Sequence, residues 1–172
     1  MNARFYPGRW LRPLALLAAG LTLLVACDQR RISRLEEGVS TEADVRREFG
    51  EPAAVWDEPG GARTLEYNRN PQGWQNYMIT IGPDGRMAAL RQVLHPTYFA
   101  KVQPGMAMEQ VRRLLGQPAR RLPLPLKGEE AWEWRYIDPP NTQMVFTVWF
   151  DRDWRVARTG SELDPEAPPN RR

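Results

Sequence analysis

One pattern of residues occurs twice in this chain, and a sequence that repeats a unit must bury two similar cores or one core built from two similar halves. The first copy runs Ile32-x-x-Leu35-x-x-Gly38, then Val45-Arg46-Arg47-x-Phe49-Gly50-Glu51-Pro52. The second runs Phe99-x-x-Val102-x-x-Gly105, then Val111-Arg112-Arg113-x-Leu115-Gly116-Gln117-Pro118. The correspondence continues at nearly constant offset, with Leu65-Glu66-Tyr67 facing Trp132-Glu133-Trp134, and Asp84-Gly85-Arg86-Met87 facing Asp153-Trp154-Arg155-Val156. A single copy would bury a modest core and be marginal alone, so the two are expected to pack together.

Each copy has a local physical reading. Ser40 or Thr41 can cap a helix whose first turn carries Glu42 and Asp44, acids that complement the positive end of the helix dipole. Val45 and Phe49 lie four apart and share a face, as do Met108, Val111 and Leu115 in the second copy. Gly50 and Gly116 then supply a left-handed cap, and Pro52 and Pro118 prevent continuation, so G-x-P reads as a helix terminator. Strand patterns separated by turn signals follow: Asp57 to Gly61 as a turn, Tyr77 to Ile81 as a strand, Pro83-Asp84-Gly85 as a hairpin and Met87 to Val93 as a strand. In the second copy Trp132 to Tyr136, Met144 to Phe150 and Arg155 to Thr159 are the counterparts. The expected fold is α+β, two tandem units of two helices packed on a three- to four-stranded antiparallel sheet, at residues 32–94 and 99–163. Residues 95–98 join them, and 164–172 are expected as a disordered tail.

The N-terminus reads as a targeting signal. Arg4, Arg9 and Arg12 precede an unbroken apolar or small run, Leu14 to Ala26, shorter than the about 20 residues that span a bilayer. The run ends Leu24-Val25-Ala26-Cys27, which resembles the lipobox of bacterial lipoproteins, where the cysteine is acylated before cleavage in front of it. Residues 1–26 are then a signal peptide and 27–31 an anchor and tether. Cys27 is the only cysteine, and acylation would remove a thiol that otherwise has no pairing partner. The formal charge of +3 lies in the leader: the remainder balances 21 basic against 21 acidic residues. That balance argues against a nucleic-acid binder, which keeps its basic excess in the mature domain. A tether from Cys27 to Ile32 reaches only about 17 Å, so Arg30, Arg31 and Arg34 are candidates for lipid headgroup contact.

Catalytic chemistry finds few residues to use. The single histidine, His95, precedes Pro96 in the joint, and no glycine-rich phosphate loop is present. Asp151-x-Asp153 reads as a turn rather than a metal site. Glu66 and Glu133 occupy matching positions, are expected to share one environment, and lack an acid–base partner. No enzyme, cofactor or metal is expected. Trp132, Trp134 and Tyr136 alternate along one strand and read as core, as do Met144, Phe146, Val148 and Phe150. The opposite face of that last strand carries Val145, Thr147 and Trp149. Trp149, and Trp74 in the loop Pro71 to Gln75, are the candidates for a partner contact.

Gly38-x-Ser40 leading to Val45-Arg46-x-x-Phe49-Gly50-x-Pro52, after a lipobox and before a hairpin, resembles the BamE (SmpA/OmlA) family. The stretch Gly105 to Pro118 resembles it nearly as well. The resemblance implies two helices against an antiparallel sheet, a periplasm-facing lipoprotein, and a non-enzymatic accessory role in outer-membrane β-barrel assembly or envelope maintenance, with the barrel-assembly machinery as partner. Tandem units of this shape also resemble the β-lactamase inhibitor protein, which implies the alternative of a tethered inhibitor or binding module for a periplasmic enzyme. The outer membrane is the expected location, with the inner membrane left open by Asp28 directly after the anchor.

Overall fold

A computed structural model of the chain describes residues 28–167. The expected signal segment 1–26, the anchor Cys27 and the last residues of the expected tail, 168–172, lie outside the described residues. Two compact parts are distinguished, one ending at Glu36 and one beginning at Glu37. In the first, residues 28–32 are helical, and Arg31 pairs with Asp28 at 3.4 Å. No helix among the described residues is long and apolar enough to cross a membrane.

From Glu37 onward the chain is mixed α and β. Helix α1 (Glu42–Phe49) leads into strands β1 (Ala54–Asp57), β2 (Arg63–Asn68), β3 (Asn76–Ile81) and β4 (Met87–Gln92). Helices α2 (Pro96–Phe99) and α3 (Met108–Leu115) lead into β5 (Arg120–Leu124), β6 (Glu129–Asp138), β7 (Thr142–Phe150) and β8 (Val156–Leu163). Each set of strands forms a four-stranded antiparallel meander in sequence order. Both α1 and α3 are eight residues long and end at a glycine two residues before a proline.

Ahead of the first sheet the chain is helical at residues 28–32 and again in α1, and residues 37–39 form a turn through Gly38, at φ 80°. Ahead of the second sheet, the segment expected as a joint is itself a helical turn. Pro96 occupies its first position and the His95 ring accepts from the Thr97 amide at 3.3 Å, a local device that suits so short a helix.

Of the two candidate caps on α1, Thr41 serves. Its hydroxyl accepts from the Asp44 amide at 3.3 Å, and the Asp44 carboxylate accepts from the Thr41 amide at 2.9 Å. The Thr41 amide and hydroxyl, with Arg47, hold the Asp44 carboxyl down to about 2. In α3 the corresponding position is Ala107, so only the return half of the box survives, the Ala107 amide donating to Gln110 at 2.8 Å. The glycine terminators depart from expectation in detail. Gly50 (φ 83°, ψ −160°) and Gly116 (φ 78°, ψ −168°) have positive φ but extended ψ rather than the left-handed helical value. The residue after each precedes a proline and is steered to extended backbone, so the chain leaves the helix directly toward the sheet edge.

Two aromatic groups anchor the cores. Phe49 of α1 meets Tyr67 and Tyr77 with ring centroids 5.2 and 5.4 Å apart. Around Trp134, which is fully buried, gather Trp132, Tyr136, Phe146, Val148 and Phe150 with Phe99, Val111 and Leu115. Phe99 stacks on Phe146 at 4.1 Å and meets Tyr136 edge-on at 4.8 Å. Met78, Val93 and Leu94 of the first sheet region belong to this same cluster, while Val45, Phe49, Leu65, Tyr67, Tyr77 and Ile79 are buried outside it.

Tyr67 couples this packing to pH. Its hydroxyl donates to the Gly50 carbonyl at 3.0 Å, and burial of the ring pushes its ionisation up to about 12, above the unfolded value of about 10. The neutral form is the one the fold prefers. Its stabilisation is therefore complete below the unfolded value and is lost as pH rises through the folded one. Urea midpoints compared near pH 9 and about pH 11.5 should fall for the wild-type chain, and Tyr67→Phe should flatten that fall.

Candidate partner-binding face

The two sheets differ in what covers their outer faces, because strand alternation sends residues to opposite sides. On the first sheet Leu65, Tyr67, Tyr77 and Ile79 point toward α1, and Trp56, Glu66, Asn68, Asn76 and Met78 point away. That second surface is occupied by α3 and the turn after it. Glu66, with no exposed surface, accepts from Trp56 Nε1 at 3.1 Å, Asn68 Nδ2 at 2.7 Å, Arg112 at 3.1 Å and the Gln117 amide at 3.1 Å. Asn76, also fully buried, donates to the carbonyls of Leu115 and Gln117 at 2.9 and 3.1 Å and accepts from the Arg69 amide at 3.0 Å. Buried polar groups are retained when their bonds are filled, and here those bonds join the two halves.

The corresponding outer face of the second sheet carries Ala131, Glu133 and Arg135 of β6, opposite Trp149, Thr147 and Val145 of β7, and Arg158, Gly160 and Glu162 of β8. Here Glu133 keeps 14% of its side chain exposed and pairs with Arg120 at 2.8 Å. Glu66 and Glu133 were expected to share one environment; both carboxylates meet a guanidinium, but only Glu66 is enclosed. An arginine of the same sheet, Arg120, does for Glu133 what α3 does for Glu66, and alanine stands at the equivalent position, Ala54.

Trp149 lies half-buried on this face. Its ring rests against Gly160, where an added Cβ would lie 3.3 Å from it, and under the Arg158 guanidinium at 4.6 Å. Arg158 in turn is held by Glu129 through two contacts at 2.7 and 3.0 Å. A held guanidinium over an indole contributes about 0.5–1 kcal/mol at an exposed site and leaves a flat amphipathic platform. Beside it a depression of about 100 Å³ is lined by Arg120, Glu133, Arg135, Val145, Asp164 and Glu166, with Pro71 on its wall. Arg135 binds the buried Asp164 at 2.7 Å, and Glu166 reaches Arg120 at 3.4 Å. Asp164, the first residue of the segment expected as a tail, has its carboxylate in a buried ion pair.

Trp74 is the other candidate contact. It is half-buried, with Arg135 at 6.0 Å from its ring and its Nε1 buried without a hydrogen-bond partner among the described residues. Arg30 and Arg34 are exposed and Arg31 faces Asp28. Asp151 is a turn residue whose carboxylate accepts from the Asp153 and Arg155 amides at 2.9 and 3.0 Å.

The segment holding this face carries a family signature. Residues 92–160 match the outer membrane protein assembly factor BamE domain. The BamE match begins at the last residue of β4, takes in α2 and α3, and ends inside β8, so it contains most of the Trp149 platform and, apart from Met78, the buried cluster around Trp134. Helix α1 and the first sheet, apart from Gln92, lie outside it and meet it through the Glu66 network. A crystal structure of a DUF4309 family protein, YjgB, from Bacillus subtilis is 18% identical over 76% of this chain and 82% of its own, with a TM-score of 0.29. No curated protein sequence matches the chain significantly.

Nothing in the hydrophobic periodicity singles out Glu66, Asn76 or Arg112. The one available signal is a charged residue between Leu65 and Tyr67, two positions that the strand pattern buries.

Proposed function

We propose that this chain is a non-enzymatic, membrane-anchored accessory protein of outer-membrane protein assembly, facing the periplasm and docking a protein partner on the outer face of its second sheet. The match of residues 92–160 to the BamE domain carries this reading. It agrees with a chain that pairs the Glu66 and Glu133 carboxylates structurally and presents an indole–guanidinium platform on that face. Trp149 is the proposed centre of the contact and Trp74 its rim, since interface energy concentrates in tryptophan and arginine anchors. Cys27 is the proposed lipid attachment, with Arg30, Arg31 and Arg34 near the headgroups.

Recovery of the full chain from solubilised membranes tests the role. Subunits of a barrel-assembly machine should co-purify, and Trp149→Ala should lower their recovery, with about 2 kcal/mol or more of binding lost if it is a hot spot. A single stoichiometric periplasmic enzyme in their place would instead support the inhibitor-like reading that the paired sheets suggest. For the anchor, Cys27→Ser should abolish fatty-acid labelling and processing; labelled lipid on the mutant would refute the assignment.

A further inference from the structure

Trp154 stands where its own repeat says a glycine belongs. In the first sheet the β3–β4 turn places Gly85 at φ 78°, its amide donating to the Gly82 carbonyl at 2.9 Å and its carbonyl accepting from Glu42, at the start of α1, at 3.1 Å. In the β7–β8 turn Trp154 makes the same bonds, to Asp151 at 3.1 Å and from Met108, at the start of α3, at 3.0 Å, but at φ 58° with a bulky side chain. An L-residue at positive φ is strained, and a large one is an outlier. Packing does not compensate, because 52% of Trp154 is exposed.

A second anomaly adjoins it. At the tip of the β5–β6 hairpin Leu126 is 102% exposed, without a covering neighbour. An open depression between the two tips is lined by Pro123, Leu124 and Pro125 on one side and Asp151, Arg152 and Trp154 on the other. Lys127 and Arg152 are exposed at the rim. Of the nearby acids, Glu129 is paired with Arg158, Glu130 accepts from Trp132 Nε1 at 2.7 Å and Asp151 is taken by turn amides, leaving Asp153 as the exposed one. The corresponding tips of the first sheet read Glu58-Pro59-Gly60-Gly61-Ala62 and Gly82-Pro83-Asp84-Gly85-Arg86, with neither a large apolar residue nor strain at Gly85. The difference between two tips of the same architecture cannot be a requirement of the fold.

From these observations we infer that the paired tips of the second sheet, through Trp154 and Leu126 flanked by Lys127 and Arg152, insert into the surface of an anionic phospholipid bilayer. Leu126 and Trp154 stand exposed on the two tips beside that depression, and a fluid interface accepts such side chains without a shaped complement. Tryptophan partitions to the headgroup level, and basic side chains beside it gain from anionic lipid. The inference rests on the reading that the chain works at a membrane, but it does not require the Cys27 anchor.

Trp154→Gly provides the test, because it restores the residue of the sister turn and should leave the chain at least as resistant to urea. The full chain is mixed with vesicles of zwitterionic phospholipid, with and without anionic phospholipid, carrying bromine on the acyl chains as a tryptophan quencher. Wild-type fluorescence should be quenched more than that of Trp154→Gly, and more strongly when anionic lipid is present. Neutralising Lys127 and Arg152 to Gln should weaken the docked state by about fivefold per charge. Equal quenching of wild type and Trp154→Gly would overturn the inference. So would a Trp154 that lipid does not quench but whose replacement loses a co-purifying protein, since the tips would then be a protein contact. Quenching of Trp154 in a chain that carries no acyl group would uphold the inference while failing the anchor, so the two are separable.

Discussion

Glu66→Ala should destabilise the chain by about 3–5 kcal/mol, the cost of breaking a buried ion pair from one side. Glu66 has no exposed surface and satisfies donors from three places: Trp56 and Asn68 on its own sheet, Arg112 on α3 and the Gln117 amide beyond it. Removing the carboxylate leaves an arginine whose side chain is only 20% exposed facing a cavity. The loss should appear as a lower urea midpoint by tryptophan fluorescence. Glu66→Gln, which keeps one acceptor, should lose less, about 1–3 kcal/mol. Replacing both partners, Glu66→Leu with Arg112→Leu, should recover part of the loss, since no charge is then stranded. A Glu66→Ala chain within about 1 kcal/mol of wild type would mean that the buried cluster around Trp134 alone holds the halves together.

The second large effect separates two glycines that look identical in sequence. Gly50→Ala and Gly116→Ala both place an L-residue at positive φ with extended ψ, a region nearly reserved for glycine, at about 1–3 kcal/mol each. An added Cβ at Gly50 meets nothing within 4 Å. At Gly116 it would lie 2.5 Å from Asn68 Oδ1 and 3.0 Å from Asn76 Nδ2. Neither amide can retreat, because Asn68 accepts from the Gln117 amide at 3.0 Å and Asn76 is fully buried with its bonds filled. Gly116→Ala should therefore cost about 1–3 kcal/mol beyond Gly50→Ala, the usual range for overpacking. Equal midpoints for the two variants would show that the halves can part at this point without cost.

Much of the architecture follows from local chemistry and was legible. Helix spacing at Val45 and Phe49, the cap at Thr41, the paired G-x-P ends and the alternation of Trp132, Trp134 and Tyr136 depend on residues close in sequence. Alternation also placed Trp149 on the opposite face from the core, where the structure has it. The strands at Ala54–Asp57 and Arg120–Leu124 were harder to read, being short edge strands, the second of which contains Pro123. Proline belongs on such edges, but it removes the pattern by which a strand is recognised.

The pattern that occurs twice in the sequence led to the expectation of two similar sheets, and local residues set where each helix would stop and which strand faces would be apolar. Only the tertiary structure decided that the two copies are not equivalent. Glu66 and Glu133, Gly50 and Gly116, and Gly85 and Trp154 are matched pairs in the alignment. One member of each meets a neighbour or a solvent boundary that the other does not. Sheet and helix propensities act over a few residues, so they are the same in both copies. Burial depends on what the chain brings from about fifty residues away, and α3 has a sheet on both sides.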